Sequence, residues 1–147
     1  IKGPQVFREY FNLPGKTKES FKDDWFITGD VAILEKGYFR LLGRDSVDII
    51  KSGGYKISAL EIEDILLKNS NIKECAVVGV PDNKWGEIIA AALVIREKNT
   101  NIDEIQEWCS DYLSDYKIPR IIKILSELPK NAMGKVTKTI LKKYFNK

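Results

Sequence analysis

The sequence predicts an α+β fold for residues 49–147, in which short strands alternate with helices. Three apolar runs have the length and composition of buried strands, at residues 75–80, 88–95 and 120–125. Residues 49–57, with Gly53-Gly54 at their centre, have the pattern of a two-residue β-hairpin. We therefore predict a short β-hairpin plus a three-stranded sheet, with helices flanking the sheet.

Polar residues predict where the helices begin. Ser58 followed by Glu61 forms a capping box, and Asn101 with Glu104 is predicted to cap a second helix. Apolar residues then recur at helical spacing and predict one buried face for each helix. These residues are Ala59, Ile62, Ile65 and Leu66 on the first helix, Ile102, Ile105, Trp108, Tyr112 and Leu113 on the second, and Ile140, Leu141, Tyr144 and Phe145 on a short closing helix.

Residues 1–43 have a different character, because their apolar runs are short and turns such as Lys36-Gly37 interrupt them. Strands this short do not bury their faces without partners. We expect these residues to be the last strands of a larger domain that precedes them in a longer protein. The first residue, Ile1 rather than Met, agrees with that expectation.

Composition argues against several function classes. The 24 basic and 21 acidic residues leave a net charge of +3, too weak for phosphate-dominated binding of nucleic acid. Two distant cysteines and the absence of histidine argue against a zinc site, a disulfide framework and a histidine-activated nucleophile, and they fit an intracellular, reducing compartment. No apolar run reaches membrane-spanning length. The C-terminal lysines are predicted to form a solvated helix face: Lys135, Lys138, Lys142, Lys143 and Lys147.

Three polar segments flanked by glycine are candidate sites. Asp30, after Gly29, can offer two carboxylate oxygens to a vicinal diol, or it can belong to an ordinary turn. Lys135, after Gly134, can place a mobile ammonium where negative charge develops, or it can be an exposed lysine before a helix.

The third segment runs from Arg44 to the glycine pair. Gly53 and Gly54 let a ligand approach the backbone closely, although a plain hairpin turn has the same residues. Arg44 can donate to ribose oxygens, and Lys51 can be either a functional cation or a solvated strand lysine.

The order of these segments resembles the adenylate-forming superfamily, which includes acyl-CoA synthetases, adenylation domains of peptide synthetases and luciferases. The resemblance covers essentially the whole chain. Residues 3–11 and 46–61 are most similar to its malonyl-CoA synthetase branch. The matching motifs, in order, are Thr28-Gly29-Asp30, Gly43-Arg44, Asp48 with Lys51-Ser52-Gly53-Gly54-Tyr55, Glu61-Ile62-Glu63, Val78-Gly79-Val80-Pro81-Asp82 with Trp85-Gly86-Glu87, and Pro129-Lys130-Asn131 with Gly134-Lys135.

The resemblance implies an acid–CoA ligase with two half-reactions. ATP and a carboxylic acid give an acyl-adenylate and pyrophosphate, and the thiolate of CoA then displaces AMP. Residues 1–43 would end a large N-terminal AMP-binding domain, 44–48 would be a hinge, and 49–147 would be a small C-terminal lid that rotates between the steps. ATP, CoA and Mg²⁺ are the implied cofactors, with Mg²⁺ held mainly by the N-terminal domain.

The resemblance also implies roles for single residues. Asp30 would bind the ribose hydroxyls and Arg44 would support them, while Lys135 would bridge the carboxylate and the α-phosphate. Lys51 and Ser52, with Gly53 and Gly54, would serve thioester formation by lining the approach of CoA. None of these residues is expected to bind a metal.

Two alternatives remain open from the sequence: an adenylation domain of a peptide synthetase, and a noncatalytic lid-like binding module. Relatives commonly have Asp or Lys two residues after the arginine, where this chain has Ser46. The hinge is therefore placed within residues 44–48 without a choice of residue. We expect the 147 residues alone to lack ligase activity, and the full-length protein to lie in the cytoplasm or the mitochondrion.

Overall fold

The computed structural model describes residues 1–97 and 100–145. These residues form two compact units, Ile1–Asp30 and Val31–Lys147. In the first unit, helix α1 (Pro14–Ser20) precedes a small hairpin of strands β1 (Phe21–Lys22) and β2 (Trp25–Phe26). Phe7 lies edge-on to Phe21 and Phe26, with ring centroids 5.8 and 5.0 Å away. These three rings form an aromatic cluster in the first unit.

The second unit contains most of the regular structure. Its elements are strands β3 (Asp30–Glu35, beginning at the last residue of the first unit), β4 (Tyr38–Arg44), β5 (Ile49–Ser52) and β6 (Tyr55–Ser58), helix α2 (Ala59–Leu66), strands β7 (Ile72–Asp82) and β8 (Gly86–Ile95), helix α3 (Ile102–Ser110), a 3₁₀ turn (Asp115–Lys117), strand β9 (Ile121–Ile124) and helix α4 (Lys138–Lys143). The α+β prediction is confirmed. No helix within the described ranges is long and apolar enough to cross a membrane.

Strands β5 to β9 form one five-stranded sheet in the order β6-β5-β8-β7, with β9 parallel to β8. The predicted hairpin and the predicted three-stranded sheet are therefore continuous. A single pair, Ser52 with Gly86, joins β5 to β8. On one side, strand β8 pairs with β7 along its whole length. On the other side it pairs with β5 and with β9.

Both faces of the central strands are buried. Val77, Ala91 and Leu93 face one core together with Ile62 and Ile105 from α2 and α3, whereas the alternate residues of β7 and β8 face a second core. Alternation along a strand sends successive side chains to opposite faces, so strands covered on both sides consist almost entirely of apolar residues. The second core contains Ala76, Val78, Val80, Ala90, Ala92, Val94, Leu128, Leu141 and Phe145.

The predicted helix starts are correct, but parts of the predicted faces are wrong. Ser58 Oγ accepts from Glu61 N at 3.2 Å, and Asn101 accepts from Asp103 N at 3.0 Å. Ile102 and Tyr112 are exposed, because α3 starts at the first and ends before the second; Cys109 is buried in their place. On the closing helix Ile140 and Tyr144 are exposed, and the buried residues are Leu141 and Phe145.

Candidate functional site

Lys135 lies in a short loop whose backbone is held by one side chain. The carbonyl oxygen of the Asn131 side chain accepts from the backbone N–H of Met133 at 3.0 Å and from that of Lys135 at 2.9 Å. Gly134, at φ +78°, turns the chain back, and Asn131 N then donates to Lys135 O at 2.9 Å. Glycine is suited to this left-handed position because it has no Cβ. The loop therefore fixes the Lys135 backbone while its side chain is exposed.

The base of this loop is attached to the beginning of β7. Lys130 forms a bridge with Val136 across the loop, and its Nζ lies 2.6 Å from the Glu74 carboxylate. Residues 126–130 also share a surface cavity with Lys73, Glu74 and Val94. The Lys135 loop thus projects from the edge where β7 starts.

The second candidate segment is the turn between β5 and β6. Gly53 and Gly54 both have positive φ, +57° and +84°, as a two-residue hairpin turn requires. Gly53 N donates to Trp85 O at 2.9 Å. A Cβ on Gly53 would lie 2.9 Å from Trp85 Cε3, so the turn and the indole ring meet in van der Waals contact. This turn exposes backbone rather than a side chain.

Trp85 is itself positioned by the end of β7. One carboxylate oxygen of Asp82 accepts from the backbone N–H groups of Lys84 and Trp85, each at 2.9 Å. The Arg120 guanidinium lies 4.6 Å from the centre of the indole ring. Tyr55 and Tyr116 stack with their ring centroids 4.6 Å apart. Aromatic faces and a guanidinium therefore surround the glycine turn.

These groups line a cavity of about 220 Å³ beside the turn. The predicted residues Ser52 and Gly53 lie in it, but sequence reasoning missed Tyr116 and Arg120. No local motif marked these two residues, because they follow α3 and lie far along the chain from the glycine turn. The lining residues are Ser52, Gly53, Tyr55, Trp85, Asp115, Tyr116 and Arg120.

Lys51 lies on β5, one residue before this cavity, and its side chain is exposed. Its backbone N–H donates to the Glu87 carboxylate at 2.8 Å, and its Nζ is 3.9 Å from Asp45. An exposed pair at that separation contributes little to stability. The ammonium of Lys51 is therefore held only loosely by Asp45.

The two remaining predicted residues are exposed and lie in different units. Asp30 begins β3, and its backbone N–H donates to Thr28 Oγ1 at 3.1 Å. Arg44 ends β4, and its backbone N–H donates to Asp48 Oδ2 at 3.0 Å. Neither residue shares the cavity beside the glycine turn.

The prediction of a solvated C-terminal lysine face is wrong for Lys138. Only 10% of its side chain is exposed, and its Nζ lies 2.7 Å from Asp48 Oδ1 and 2.8 Å from Glu63 Oε1. Lys142 Nζ lies 3.5 Å from Glu87 Oε1. Helix α4 therefore turns two of its lysines towards carboxylates, while Lys143 is exposed and Lys147 lies outside the described residues.

The two loops lie at opposite ends of β7. Glu74, near its start, holds the base of the Lys135 loop, and Asp82, its last residue, holds Trp85 beside the glycine turn. Eight residues of extended strand separate these anchors by roughly 25 Å. The structure therefore brings Ser52, Gly53 and Trp85 together, and it places the Lys135 loop on a different edge.

Neither cysteine is built for nucleophilic chemistry. Burial raises the pKa of the Cys75 thiol to about 12 and that of the Cys109 thiol to about 11, so both remain protonated at neutral pH. Both thiols are free. Among residues 1–97 and 100–145, no cluster of three or more His, Cys, Asp or Glu side chains could hold a metal ion.

The chain is similar to a known protein family and to several known proteins. Residues 61–135 match the family model of the AMP-binding enzyme C-terminal domain. The mitochondrial malonate–CoA ligase of Homo sapiens is 44% identical over 99% of the chain, and the malonate–CoA ligase of Arabidopsis thaliana is 46% identical over 97%. The chain spans about a quarter of these relatives, 26% of each. ATP-bound MatB from Rhodopseudomonas palustris superposes with a TM-score of 0.86 at 36% identity, covering 98% of this chain and 29% of that one.

Proposed function

Because this chain belongs to the AMP-binding enzyme C-terminal domain family, we propose that it is the C-terminal part of an ATP-dependent acid–CoA ligase. The full-length enzyme would join a carboxylic acid to AMP and then transfer the acyl group to CoA. Malonate, or the closely related methylmalonate, is the proposed acid, since malonate–CoA ligases are among the relatives more than 40% identical to this chain.

The observation that carries this proposal is the separation of two unlike loops along β7. One loop exposes an ammonium and the other exposes glycine backbone beside an aromatic cavity. Loops roughly 25 Å apart along a strand cannot both reach one reacting carbon in one orientation. A domain that turns between two steps can present each loop in its own step.

Lys135 is the proposed catalytic residue of the first step. Joining a carboxylate to an α-phosphate brings two anions together, and a cation at their junction stabilises the charge that develops in the transition state. The Asn131 bonds fix the Lys135 backbone, which lowers the entropy lost when the side chain engages both groups. Asp30 and Arg44 are proposed to hold the ribose of the same nucleotide.

The glycine turn is proposed to act in the second step. Gly53 and Gly54 leave room for the thiol arm of CoA beside Ser52, and Lys51 supplies a nearby cation. The adjoining cavity offers aromatic faces for a base ring and the Arg120 guanidinium for phosphate oxygens. The residues present therefore fit CoA. The carboxylates of the described residues form no cluster that could hold Mg²⁺.

The remaining assignments follow from the same proposal. Residues 1–43 would complete the larger domain, 44–48 would be the linker about which residues 49–147 turn, and the large domain would be the principal partner of this chain. The 147 residues alone would lack ligase activity. The protein would work in the cytoplasm or the mitochondrion, where its two free thiols stay reduced.

The test separates the half-reactions in the full-length protein. We expect Lys135→Ala to lower malonate-dependent exchange of pyrophosphate into ATP by about 100- to 1,000-fold, the usual effect of removing one electrostatic stabiliser. Thioester formation from supplied malonyl-adenylate should survive. Lys143→Ala is the matched control, since Lys143 is also exposed and follows the same loop.

Equal loss of both half-reactions in Lys135→Ala would contradict the proposal that Lys135 acts in adenylation and not in thioester formation. A panel of malonate, methylmalonate, acetate and longer acids would identify the acid. Transfer to a carrier protein but not to CoA would favour a peptide-synthetase adenylation domain instead.

A further inference from the structure

Asp48, the last residue of the linker, is held by two contacts to its carboxylate and one to its backbone oxygen. Its Oδ1 accepts from Lys138 Nζ at 2.7 Å, and its Oδ2 accepts from Arg44 N at 3.0 Å. Its backbone oxygen accepts from Ala59 N, the first residue of α2, at 2.8 Å. A Cβ on Gly43, where φ is +118°, would lie 2.5 Å from Asp48 Cβ, so the chain also packs closely here. Asp48 is thus fixed to Lys138 and Ala59 of the proposed C-terminal domain, although it ends the linker.

Lys138 connects this carboxylate to the sheet. Its Nζ is also 2.8 Å from Glu63 Oε1, and the same oxygen accepts from Val77 N on β7 at 2.7 Å. The side chains of Lys138, Asp48 and Glu63 are only 10%, 16% and 14% exposed. One ammonium therefore lies between two carboxylates in a largely dry environment, where a hydrogen-bonded pair is far stronger than at the surface.

The linker residues before Asp48 are different. Asp45 and Ser46 are exposed, and Val47 N donates to Arg44 O at 3.2 Å. Asp48 N donates to the same oxygen at 2.8 Å, which closes a small turn. A rotation about the linker has to open this turn. The Asp48 carboxylate also closes the turn, because it accepts from Arg44 N, and Lys138 holds the same carboxylate.

We propose that Lys138 is a positioning residue that fixes Asp48 to the body of the C-terminal domain, so that the domain turns about residues 44–47 and not beyond them. The turning itself rests on the proposed function. The hold of Lys138 on the linker is a property of this chain. Because Lys138 follows Lys135 by three residues, the same short segment carries the first-step lysine and the clamp that fixes its domain to the linker.

The test follows the linker amides by hydrogen–deuterium exchange of the 147-residue chain. In Lys138→Met, the amides of Arg44, Val47 and Asp48 should exchange at least about tenfold faster, because Asp48 loses its buried partner. Amides of residues 90–93 on β8 should exchange as in the unchanged chain. Lys138→Arg should restore slow exchange at the linker, since it keeps a charged donor.

Lys142→Met is the matched control. Lys142 lies on the same helix and pairs with Glu87, but at 3.5 Å and with 35% of its side chain exposed. It should leave the linker amides unchanged. If Lys138→Met does not fold, the double variant Lys138→Met/Glu63→Gln removes one of the two like charges left behind, and it should fold with the same faster exchange at the linker.

Unchanged linker exchange in a folded variant would overturn the proposal. An equal rise at the linker and at residues 90–93 would also overturn it, because Lys138 would then stabilise the whole domain rather than position the linker. A full-length protein without ligase activity would overturn the proposed function and leave this measurement valid.

Discussion

The Lys135 loop and the glycine turn are built in opposite ways from similar parts. In each, one side-chain oxygen accepts two backbone N–H groups: Asn131 holds Met133 and Lys135, and Asp82 holds Lys84 and Trp85. The first loop then projects a long cation into solvent. The second presses an indole ring against Gly53 and exposes backbone.

Under the proposed function, this difference lets one small domain serve two chemistries. A flexible charged side chain on a fixed backbone suits stabilisation of developing charge, whereas a surface without side chains suits close passage of a thiol arm. Strand β7 carries one anchor near each end, so both loops are attached to the same strand. We therefore expect a substitution in either loop to slow one half-reaction and to spare the other.

The largest effect is expected from Gly53→Ala. A methyl group there meets Trp85 at 2.9 Å and has to adopt a φ of +57°. Left-handed strain of about 1–2 kcal/mol and overpacking of about 1–3 kcal/mol predict a loss of about 2–5 kcal/mol in the free energy of unfolding. Urea denaturation of the chain measures this loss.

Gly54→Ala is its matched control, because Gly54 has a φ of +84° but nothing lies within 4 Å of its added Cβ. Only the backbone strain of about 1–2 kcal/mol is expected there. Equal losses for the two variants would show that Trp85 does not press on the turn. In the full-length enzyme Gly53→Ala should slow thioester formation and leave pyrophosphate exchange intact.

An intermediate effect is expected when either anchor, Asn131 or Asp82, is replaced by alanine. Asn131→Ala removes two hydrogen bonds that position the Lys135 loop. We expect this to raise the activation free energy by about 1.4 kcal/mol, which lowers the rate about tenfold. We expect this loss in adenylation and not in thioester formation. Asp82→Ala should show the reverse, because it releases Trp85 beside the glycine turn.

Asn131→Asp and Asp82→Asn each keep an oxygen at the same position and should retain most of the activity. Loss of both half-reactions in either alanine variant would contradict the separation of the two loops. The two rates, measured on the same full-length preparation, make the comparison direct.

Local features were predictable from sequence, and contacts between distant segments were not. Helix α2 begins at Ser58 because the capping oxygen and the residues it serves are neighbours in the chain. The glycine pair indicated the hairpin turn for the same reason. Lys138 is paired with a carboxylate 90 positions earlier, and a lysine in a basic tail gives no sign of such a partner.

The cavity beside the glycine turn shows the same limit. Ser52 and Gly53 were marked by their motif, but Arg120 reaches Trp85 only because β9 pairs with β8. The reciprocal bond of the predicted capping box is replaced too, since the Glu61 carboxylate pairs with Lys117 at 2.7 Å. Periodicity and caps describe a chain segment by segment, whereas these contacts depend on sheet order.

The smallest effect tests whether β7 is as rigid as the comparison requires. Burial raises the pKa of the Cys75 thiol, on β7, from an ordinary value near 9.0 to about 12. Between these values the unfolded chain releases the proton and the folded chain keeps it, so stability falls as the pH rises through that window. From pH 8 to pH 10 this thiol should account for a loss of about 1 kcal/mol, which Cys75→Ala should lack. The free energy of unfolding is measured by urea denaturation at each pH. If it falls equally with pH in the two proteins, water reaches β7, and the two loops do not share a rigid support.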